Sequence, residues 1–305
     1  IFLVAFVIWE SKTRRPLLDV SVFKDRSVRS GSLSLLVQFT VAFGFFFVAV
    51  QFIAYVLGFG PLDTGLSFLP TAIGLFPASL VAIPLTKRFG FRVVGFLGLC
   101  LLGVSLYLGA QFHSESSFLD FALVAVIYGA GIGLASPPAT EIIVSSLPFE
   151  KQGVASALND VLRELGAVIG IAIAGSMFNS GYRSSIDSLQ EFPQEILELA
   201  KESPAIAPQL ASSLETSMDN FLYQITVSVA EGWSDSLWAL LFVVAGGAIC
   251  FVLWAPGKKQ QTKASEIMGS SRTGLRYEEI ATYIEIEGAR KKDRIRVTQR
   301  RLDGA

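Results

Sequence analysis

Residues 156–175 read SALNDVLRELGAVIGIAIAG, and this stretch is decisive because it is an apolar helix that carries charges. From Leu165 onward it holds only apolar and small residues, as helices in contact with lipid do. Asp160, Arg163 and Glu164 nevertheless lie within little more than one helical turn of one another. Charged side chains are expensive inside a bilayer and usually mark a functional site there. The meaning of these three charges therefore depends on whether the stretch crosses a membrane.

The amino-acid composition is that of a membrane protein. Of the 305 residues, 51% are hydrophobic and 17% are charged, whereas soluble domains carry about 25% charged residues. Several apolar runs exceed the roughly 18–20 residues that are needed to cross a bilayer. We predict helices for these runs, because lipid cannot satisfy an open backbone and the alternation of barrel strands is missing.

The apolar runs predict an all-α, polytopic membrane protein with a six-helix bundle. The chain begins at Ile1 in an apolar run, 1–9, that lacks a basic n-region and a cleavage site. We therefore expect the remnant of a preceding helix, and a fragment of a longer protein, rather than a signal peptide. Residues 1–31 are predicted to be the end of a linker helix and a connector, 32–255 the bundle and 256–305 a tail. The six predicted spans are 32–57, 64–85, 93–111, 119–147, 152–178 and 234–255.

Lys and Arg residues are distributed so unevenly that they predict an orientation. The segments 10–31, 86–92 and 148–151 lie on the same side of the predicted spans as the tail. Together these four segments hold 22 of the 25 basic residues. Because positively charged loops stay in the cytoplasm, we expect the connector and the tail on the cytoplasmic side of the plasma (inner) membrane.

The predicted outer loop, residues 179–233, is acidic. It carries nine acids, counting Asp235 at its edge, against two bases. Its apolar residues recur at helical spacing and predict a helical hairpin on the outer surface, with a solvated, partly helical loop as the alternative. These residues are Leu210, Leu214, Met218, Phe221, Leu222 and Ile225. For the basic tail, the sequence allows a disordered extension near anionic lipid or a short amphipathic helix.

The charged helix is expected to turn one face away from lipid. Glu164 lies about 18 Å along the predicted span 152–178, near mid-depth in the membrane. The i,i+3 and i,i+4 spacings place Arg163 and Glu164 on the same face as Asp160. Small or polar residues predicted to extend this face are Ser156, Ala167 and Ala174. Such a face should border a protein interior or a water-filled cavity.

A third acid, Glu141, is predicted to lie near the charged helix. Glu141 comes nine residues before Glu150 and Asp160 comes ten residues after it, so two antiparallel helices would hold both acids at similar depth. Arg163 can neutralise one carboxylate or two. The excess acid is expected to hold a proton near neutral pH, as a proton carrier requires. A buried salt bridge that only positions two helices is the alternative.

Polar residues inside the other spans are candidates for contact with a substrate, although interhelical hydrogen bonds are the commoner role. These candidates are Gln38, Gln51 and Asn159. Pro137 and Pro138 remove hydrogen bonds from one span and predict a kink there.

Glycines at regular spacing predict close helix packing. Gly166 and Gly170 form one small face on the charged helix. A second small face consists of Gly129, Gly131 and Gly133. We interpret both faces as packing signals rather than as parts of a ligand site.

Three stretches resemble a known family of transporters. The stretch RPLLDVSVFKDRSVRSG is similar to the cytoplasmic connector of the fourteen-span drug:proton antiporter branch of the major facilitator superfamily. QFIAYVLGFGPLDTGLSFLP is similar to the outer turn that follows the next span in that branch. The stretch from GAGIGLASPPATEIIVSS to GSMFNSGY resembles its paired penultimate region and includes Asn159, Asp160, Arg163 and Glu164. The resemblance implies that the six spans are the C-terminal bundle of such a transporter.

The cytoplasmic turn IPLTKRFGFR departs from the family pattern. Arg88, Gly90 and Arg92 fit that pattern, and the resemblance implies a gating turn at these three positions. Ile83 replaces a glycine and Lys87 replaces an aspartate, which weakens the case for gating here.

The leading hypothesis is a proton-coupled multidrug efflux antiporter, present as its C-terminal half. Its expected partners are the lipid bilayer, the missing N-terminal helical bundle, protons and small amphipathic or cationic substrates. Export of an endogenous metabolite, lipid or siderophore, or a non-transporting half-transporter module, are alternatives. An enzyme is not predicted, because the sequence lacks HExxH, GxSxG and P-loop motifs.

Metal, cofactor and nucleic-acid binding are not predicted either. The one histidine, His113, lies in a polar loop and cannot form a metal site alone. Cys100 and Cys250 fall inside apolar runs, which argues against a disulfide framework.

Overall fold

A computed structural model of the chain describes residues 23, 25–147, 152–212, 214 and 217–257. Within these ranges the regular structure is helical. The predictions for the linker-helix remnant and for the tail fall outside the described residues.

Six helices in the described ranges are long and apolar enough to cross a membrane, which confirms the predicted all-α membrane architecture. One of the six candidate spans, Pro61–Phe89, consists of two of the helices given below, the short α2 and the long α3. The long helices are α1 (Arg26–Tyr55), α3 (Leu69–Phe89), α4 (Phe91–Gly109), α5 (Phe118–Ser145), α6 (Gln152–Asp187) and α9 (Met218–Trp254). The short ones are α2 (Pro61–Leu66), α7 (Gln194–Ala200) and α8 (Ala207–Ala211), with a 3-10 turn at Pro204–Ile206.

Local sequence signals fix the helix ends. The Asp25 carboxylate accepts hydrogen bonds from the backbone N–H groups of Ser27 (2.7 Å) and Val28 (3.1 Å) and so caps α1. Ser117 and Asp120 form a reciprocal capping box at the start of α5. Gly90 separates α3 from α4 with φ +91°, a left-handed conformation that favours glycine.

The predicted glycine faces are confirmed as packing surfaces. A Cβ atom added at Gly170 on α6 would lie 1.9 Å from the Thr40 carbonyl oxygen on α1. A Cβ atom added at Gly129 on α5 would lie 2.0 Å from the Thr71 carbonyl oxygen on α3. Real Cβ atoms essentially never approach a neighbour this closely. The backbone of α6 therefore touches that of α1, and the backbone of α5 that of α3, only because Gly170 and Gly129 have no side chain.

The interior is closed by aromatic residues where α1, α5 and α9 meet. Phe45 stacks on Tyr128 with ring centroids 4.2 Å apart. The fully buried Trp233 packs 4.8 Å from Phe52 and donates its indole N–H to the Gly109 carbonyl oxygen at 2.7 Å. The rings therefore bury apolar area while the polar indole N–H is satisfied.

Helix α5 continues through Pro137 and Pro138 to Ser145. Each proline removes one hydrogen bond from the ladder, but the helix does not end there. The predicted kink stays a prediction.

Helices α6 and α9 extend into the segment predicted as an outer loop. Helix α6 continues to Asp187, and α9 begins at Met218. The polar residues of these extensions lower the hydropathy of the sequence, but packing supports the helices. The Tyr182 hydroxyl donates to the Ala200 carbonyl oxygen at 2.8 Å, and the Phe192 and Phe221 rings lie 5.2 Å apart. The described residues between 188 and 217, with α7 and α8, thus form a packed connection between two long helices.

Lys201 ties this connection to the end of α6. Its ammonium group contacts the Asp187 carboxylate and donates to Glu198 at 2.6 Å. These hydrogen bonds raise the pKa of Lys201 above its ordinary value of 10.5. Because the folded-state pKa is raised, the stabilisation is complete below pH 10.5 and is lost as the pH rises through the folded-state pKa.

We expect Lys201→Met to loosen the connection at neutral pH. Limited subtilisin digestion of residues 188–217 should increase in the variant, whereas the wild-type protein should become equally sensitive only above about pH 10.5. Lys87→Met, an exposed position in the last turn of α3, serves as the control and should leave the digestion pattern unchanged. Equal digestion of wild type and Lys201→Met at neutral pH would show that the contacts do not secure this segment.

Candidate functional site around Arg163

Helix α1 forms the floor of an open groove. It lies against both α5 and α6, which hardly touch each other. The face of α1 that is exposed between them carries Phe43, Phe47 and Val50. On either side of this face, Phe46 contacts Tyr128 of α5, and Phe47 lies near Gly175 of α6. We call this surface the α1 groove.

Arg163 reaches from α6 across one end of the α1 groove. Its Nη2 atom donates to the Thr140 hydroxyl oxygen of α5 at 3.3 Å. Its guanidinium carbon lies 5.2 Å from the centroid of the Phe39 ring on α1, within the range of a cation–π interaction. The Nε atom is buried and has no hydrogen-bond partner. One half-buried cation thus contacts all three helices of the groove.

Asp160 and Glu164 flank Arg163 in the sequence but do not pair with it. Both side chains are exposed. Among the described residues no ion pair joins either carboxylate to the Arg163 guanidinium, the ion pairs found there being those of Lys201. The structure therefore brings the acid–base–acid cluster together on one helix, with no ion pair among its three charged side chains.

Among the described residues, Glu141 forms no hydrogen bond or ion pair with Asp160, Arg163 or Glu164. The residue that contacts Arg163 from α5 is Thr140, one position earlier. Ala139 and Ile142 of α5 pack against Gly31 of α1. At 100° per residue Glu141 points away from that contact, and its side chain is exposed. The depth argument for Glu141 as a partner of Asp160 therefore stays a prediction.

The predicted charged face of α6 is narrower than expected. Ala167 and Ala174 were predicted to extend it, but both alanines are buried, at 7% and 0% exposure. They belong to the side of α6 that packs into the bundle, because the close contacts of Gly166 and Gly170 with α1 rotate this side inward. Ser156 is exposed, as Asp160 is.

Two of the predicted substrate contacts are buried. Gln38 is fully buried and donates from Nε2 to the Ser34 hydroxyl at 2.7 Å, leaving its Oε1 atom without a partner. Asn159 is 4% exposed and donates to the Ala155 carbonyl oxygen at 3.0 Å. Both amides thus bond to their own helices in this structure. Gln51 is half-buried near the end of α1.

The basic side chains at the break between α3 and α4 are exposed, whereas Gly90 itself is buried. Arg88 and Arg92 lie on either side of Gly90, and the Arg88 guanidinium carbon lies 5.4 Å from the Phe89 ring centroid. A role for this turn in gating stays a prediction.

The sequence did not reveal the residues that hold Arg163. Phe39 and Thr140 are ordinary residues for a membrane helix, and they lie 124 and 23 residues from Arg163 in the chain. No spacing within one helix can indicate such contacts. In the described residues, no group of three or more His, Cys, Asp and Glu side chains could hold a metal ion.

Comparison with known proteins identifies the family. Residues 10–186 match the family described as Major Facilitator Superfamily. The chain is 31% identical over 209 residues to "Multidrug efflux pump LfrA" of Mycolicibacterium smegmatis, an alignment that covers 68% of this chain and 42% of that protein.

Two further relatives have similar names. "Methyl viologen resistance protein SmvA" of Salmonella typhimurium is 29% identical over 210 residues, covering 68% of this chain and 42% of the relative. "Multidrug export protein EmrB" of Haemophilus influenzae is 28% identical over 181 residues, covering 58% and 35%. The chain thus spans less than half the length of these relatives. It is a polytopic membrane protein that belongs to the Major Facilitator Superfamily.

Proposed function

We propose that the chain is the C-terminal half of a proton-coupled multidrug exporter. Family membership and the names of the relatives support export of drug-like compounds. The observation that supports the proton coupling is that Asp160 and Glu164, on a membrane-spanning helix, are exposed and form no ion pair with Arg163 or with another described residue. Carboxylates in such a position are able to take up and release protons.

In this proposal Glu164 is the main proton carrier and Asp160 is the second. Binding of a proton neutralises a carboxylate and removes its attraction for nearby positive charge, including that of a cationic substrate. Loss of the proton restores that attraction. The two states of the carboxylates therefore favour different arrangements of the groove, as exchange of protons for substrate requires.

The α1 groove supplies the apolar surface for a substrate. Phe43, Phe46 and Phe47 present aromatic rings there, and such rings bind planar and cationic molecules by stacking and cation–π contact. Gln51 is the polar candidate nearest the other end. In transporters of this type the substrate site lies between two repeats, so the missing N-terminal bundle is the partner that would cover the groove.

The proposal includes an orientation. The connector and the tail lie in the cytoplasm and the connection formed by residues 188–217 lies outside, since the basic residues are concentrated on the connector side. Localisation is the plasma (inner) membrane. The protein is a transporter and not an enzyme.

The test uses the full-length transporter in proteoliposomes. An imposed proton gradient should drive uptake or release of a fluorescent aromatic cation against its concentration gradient, and a protonophore should abolish the movement. A competition panel of drugs, lipids and metabolites in the same vesicles identifies the preferred substrate class. Transport that is unaffected by the protonophore would contradict proton coupling.

A further inference from the structure

Arg163 contacts two neutral residues although two carboxylates are close to it in the sequence. Asp160 lies at i−3 on the same helix, a spacing at which an ion pair with arginine can form. Glu164 is the next residue. The guanidinium is instead held by Thr140 and Phe39, which belong to two other helices.

These two contacts fix the direction of the Arg163 side chain. The hydrogen bond to Thr140 draws the guanidinium toward α5, and the Phe39 ring supports it from α1. The hydrogen bond, at 3.3 Å, is long and hence weak. A modest change at either contact would therefore let the arginine turn toward its own helix.

The direction of Arg163 matters for proton binding. An opposite charge within about 4–6 Å favours the ionised form of a carboxyl group. If the guanidinium turned toward its own helix and came within that distance of Asp160 or Glu164, the carboxyl group that it approached would bind protons less readily. A guanidinium held toward α5 leaves Asp160 and Glu164 free to bind protons.

Few other charged side chains in the described residues are candidates to interact with Arg163. On α5, Glu141 points away from the contact between α5 and α1. On α1, the charge that precedes Phe39 is Arg29, about 15 Å along the helix, and its guanidinium lies over the Trp254 ring at 4.9 Å. Helix α9 has no charged residue between Asp235 and its end at Trp254. In the described residues, the carboxylates nearest to Arg163 in the sequence are therefore those of its own helix, Asp160 and Glu164.

We propose that Thr140 and Phe39 are positioning residues that hold Arg163 away from Asp160 and Glu164, so that these two carboxylates remain available to bind protons. This inference rests on the proposed function for its role in transport. The effect of Thr140 and Phe39 on proton binding by Asp160 and Glu164 can be measured without any assay of transport.

The test is an infrared titration of carboxyl groups in the full-length protein in lipid nanodiscs. Glu164→Gln and Asp160→Asn assign the carboxyl band by subtraction. Thr140→Val keeps the shape of the side chain but removes the acceptor, and Phe39→Leu removes the aromatic face. Each change should lower the proton affinity of the assigned carboxyls by about tenfold or more, because Arg163 is freed to pair with them.

Matched controls separate positioning from general damage to the bundle. Thr71→Val changes a buried threonine of α3 and Phe47→Leu another phenylalanine of α1, and neither residue contacts Arg163. Both variants should titrate as the wild type does. Thr140→Ser retains a hydroxyl and should also titrate like the wild type. Adding Thr140→Val to Arg163→Met should cause no further shift, because the two residues act through one contact.

The outcomes are distinct. Wild-type titration in folded Thr140→Val and Phe39→Leu proteins would overturn the positioning role. A shift in Thr140→Val that persists fully without the arginine would overturn it as well. If the titration shifts as expected but vesicles show no proton-driven transport, the positioning role stands and the proposed function fails.

Discussion

Glu164→Gln is expected to abolish proton-driven efflux by the full-length transporter while leaving its expression and folding normal. Glutamine has nearly the same shape as glutamate, but its amide does not bind a proton near neutral pH. The Glu164 side chain is exposed and makes no ion pair among the described residues, so the substitution removes no stabilising contact there. Transport in proteoliposomes with an imposed proton gradient should fall to the level of protein-free vesicles.

Two further measurements sharpen this prediction. Exchange of labelled for unlabelled substrate at equal proton concentration should persist in Glu164→Gln, because such exchange requires no net movement of protons. Glu141→Gln is the matched control, since Glu141 lies in a neighbouring helix and its carboxylate forms no hydrogen bond or ion pair with Arg163. It should retain proton-driven efflux. Unchanged efflux in Glu164→Gln would remove this residue from the mechanism and with it the main support for proton coupling at α6.

Gly170→Ala should destabilise the bundle strongly. The new methyl group would lie 1.9 Å from the Thr40 carbonyl oxygen and 2.7 Å from its carbonyl carbon, and the backbone of α1 cannot rotate out of the way as a side chain could. The helices would have to separate by about 1 Å, which loosens their whole contact. Overpacking of this kind usually costs about 1–3 kcal/mol and sometimes more.

Thermal unfolding of the full-length protein in detergent measures this effect. Gly153→Ala provides the control on the same helix, because a Cβ atom at Gly153 has no neighbour within 4 Å. It should be neutral or stabilising, since alanine favours a helix over glycine by about 0.5–1 kcal/mol. If Gly170→Ala were as stable as Gly153→Ala, the close approach of α1 and α6 would not be a feature of the folded protein.

The sequence contains enough information for the number and type of helices, because apolar runs of membrane length have few alternatives. It does not contain their full length. Residues such as Arg183 and Glu231 make the ends of α6 and α9 look like loops, whereas contacts such as that of Tyr182 with Ala200 support helix there. Such contacts join residues that are distant in the chain.

The sequence predicted only part of the candidate site, because here too the deciding contacts join residues that are distant in the chain. Spacing along one helix indicated that Asp160, Arg163 and Glu164 lie close together, and the structure has them on neighbouring turns of α6. Spacing also suggested that Arg163 would neutralise an acid. The arginine instead contacts Thr140 and Phe39, because the rotation of each helix is set by its glycine contacts with other helices.

The unbroken length of α6 has a mechanical consequence. Its 36 residues form a rod about 54 Å long, far longer than the roughly 30 Å of hydrocarbon in a bilayer. A tilt of about 10° around the middle of such a rod displaces each end by about 5 Å in opposite directions. The lever carries Arg163 in one half and Tyr182 near the tip of the other. A tilt of α6 that moves Arg163 would therefore also move the connection between α6 and α9, without a separate hinge in α6.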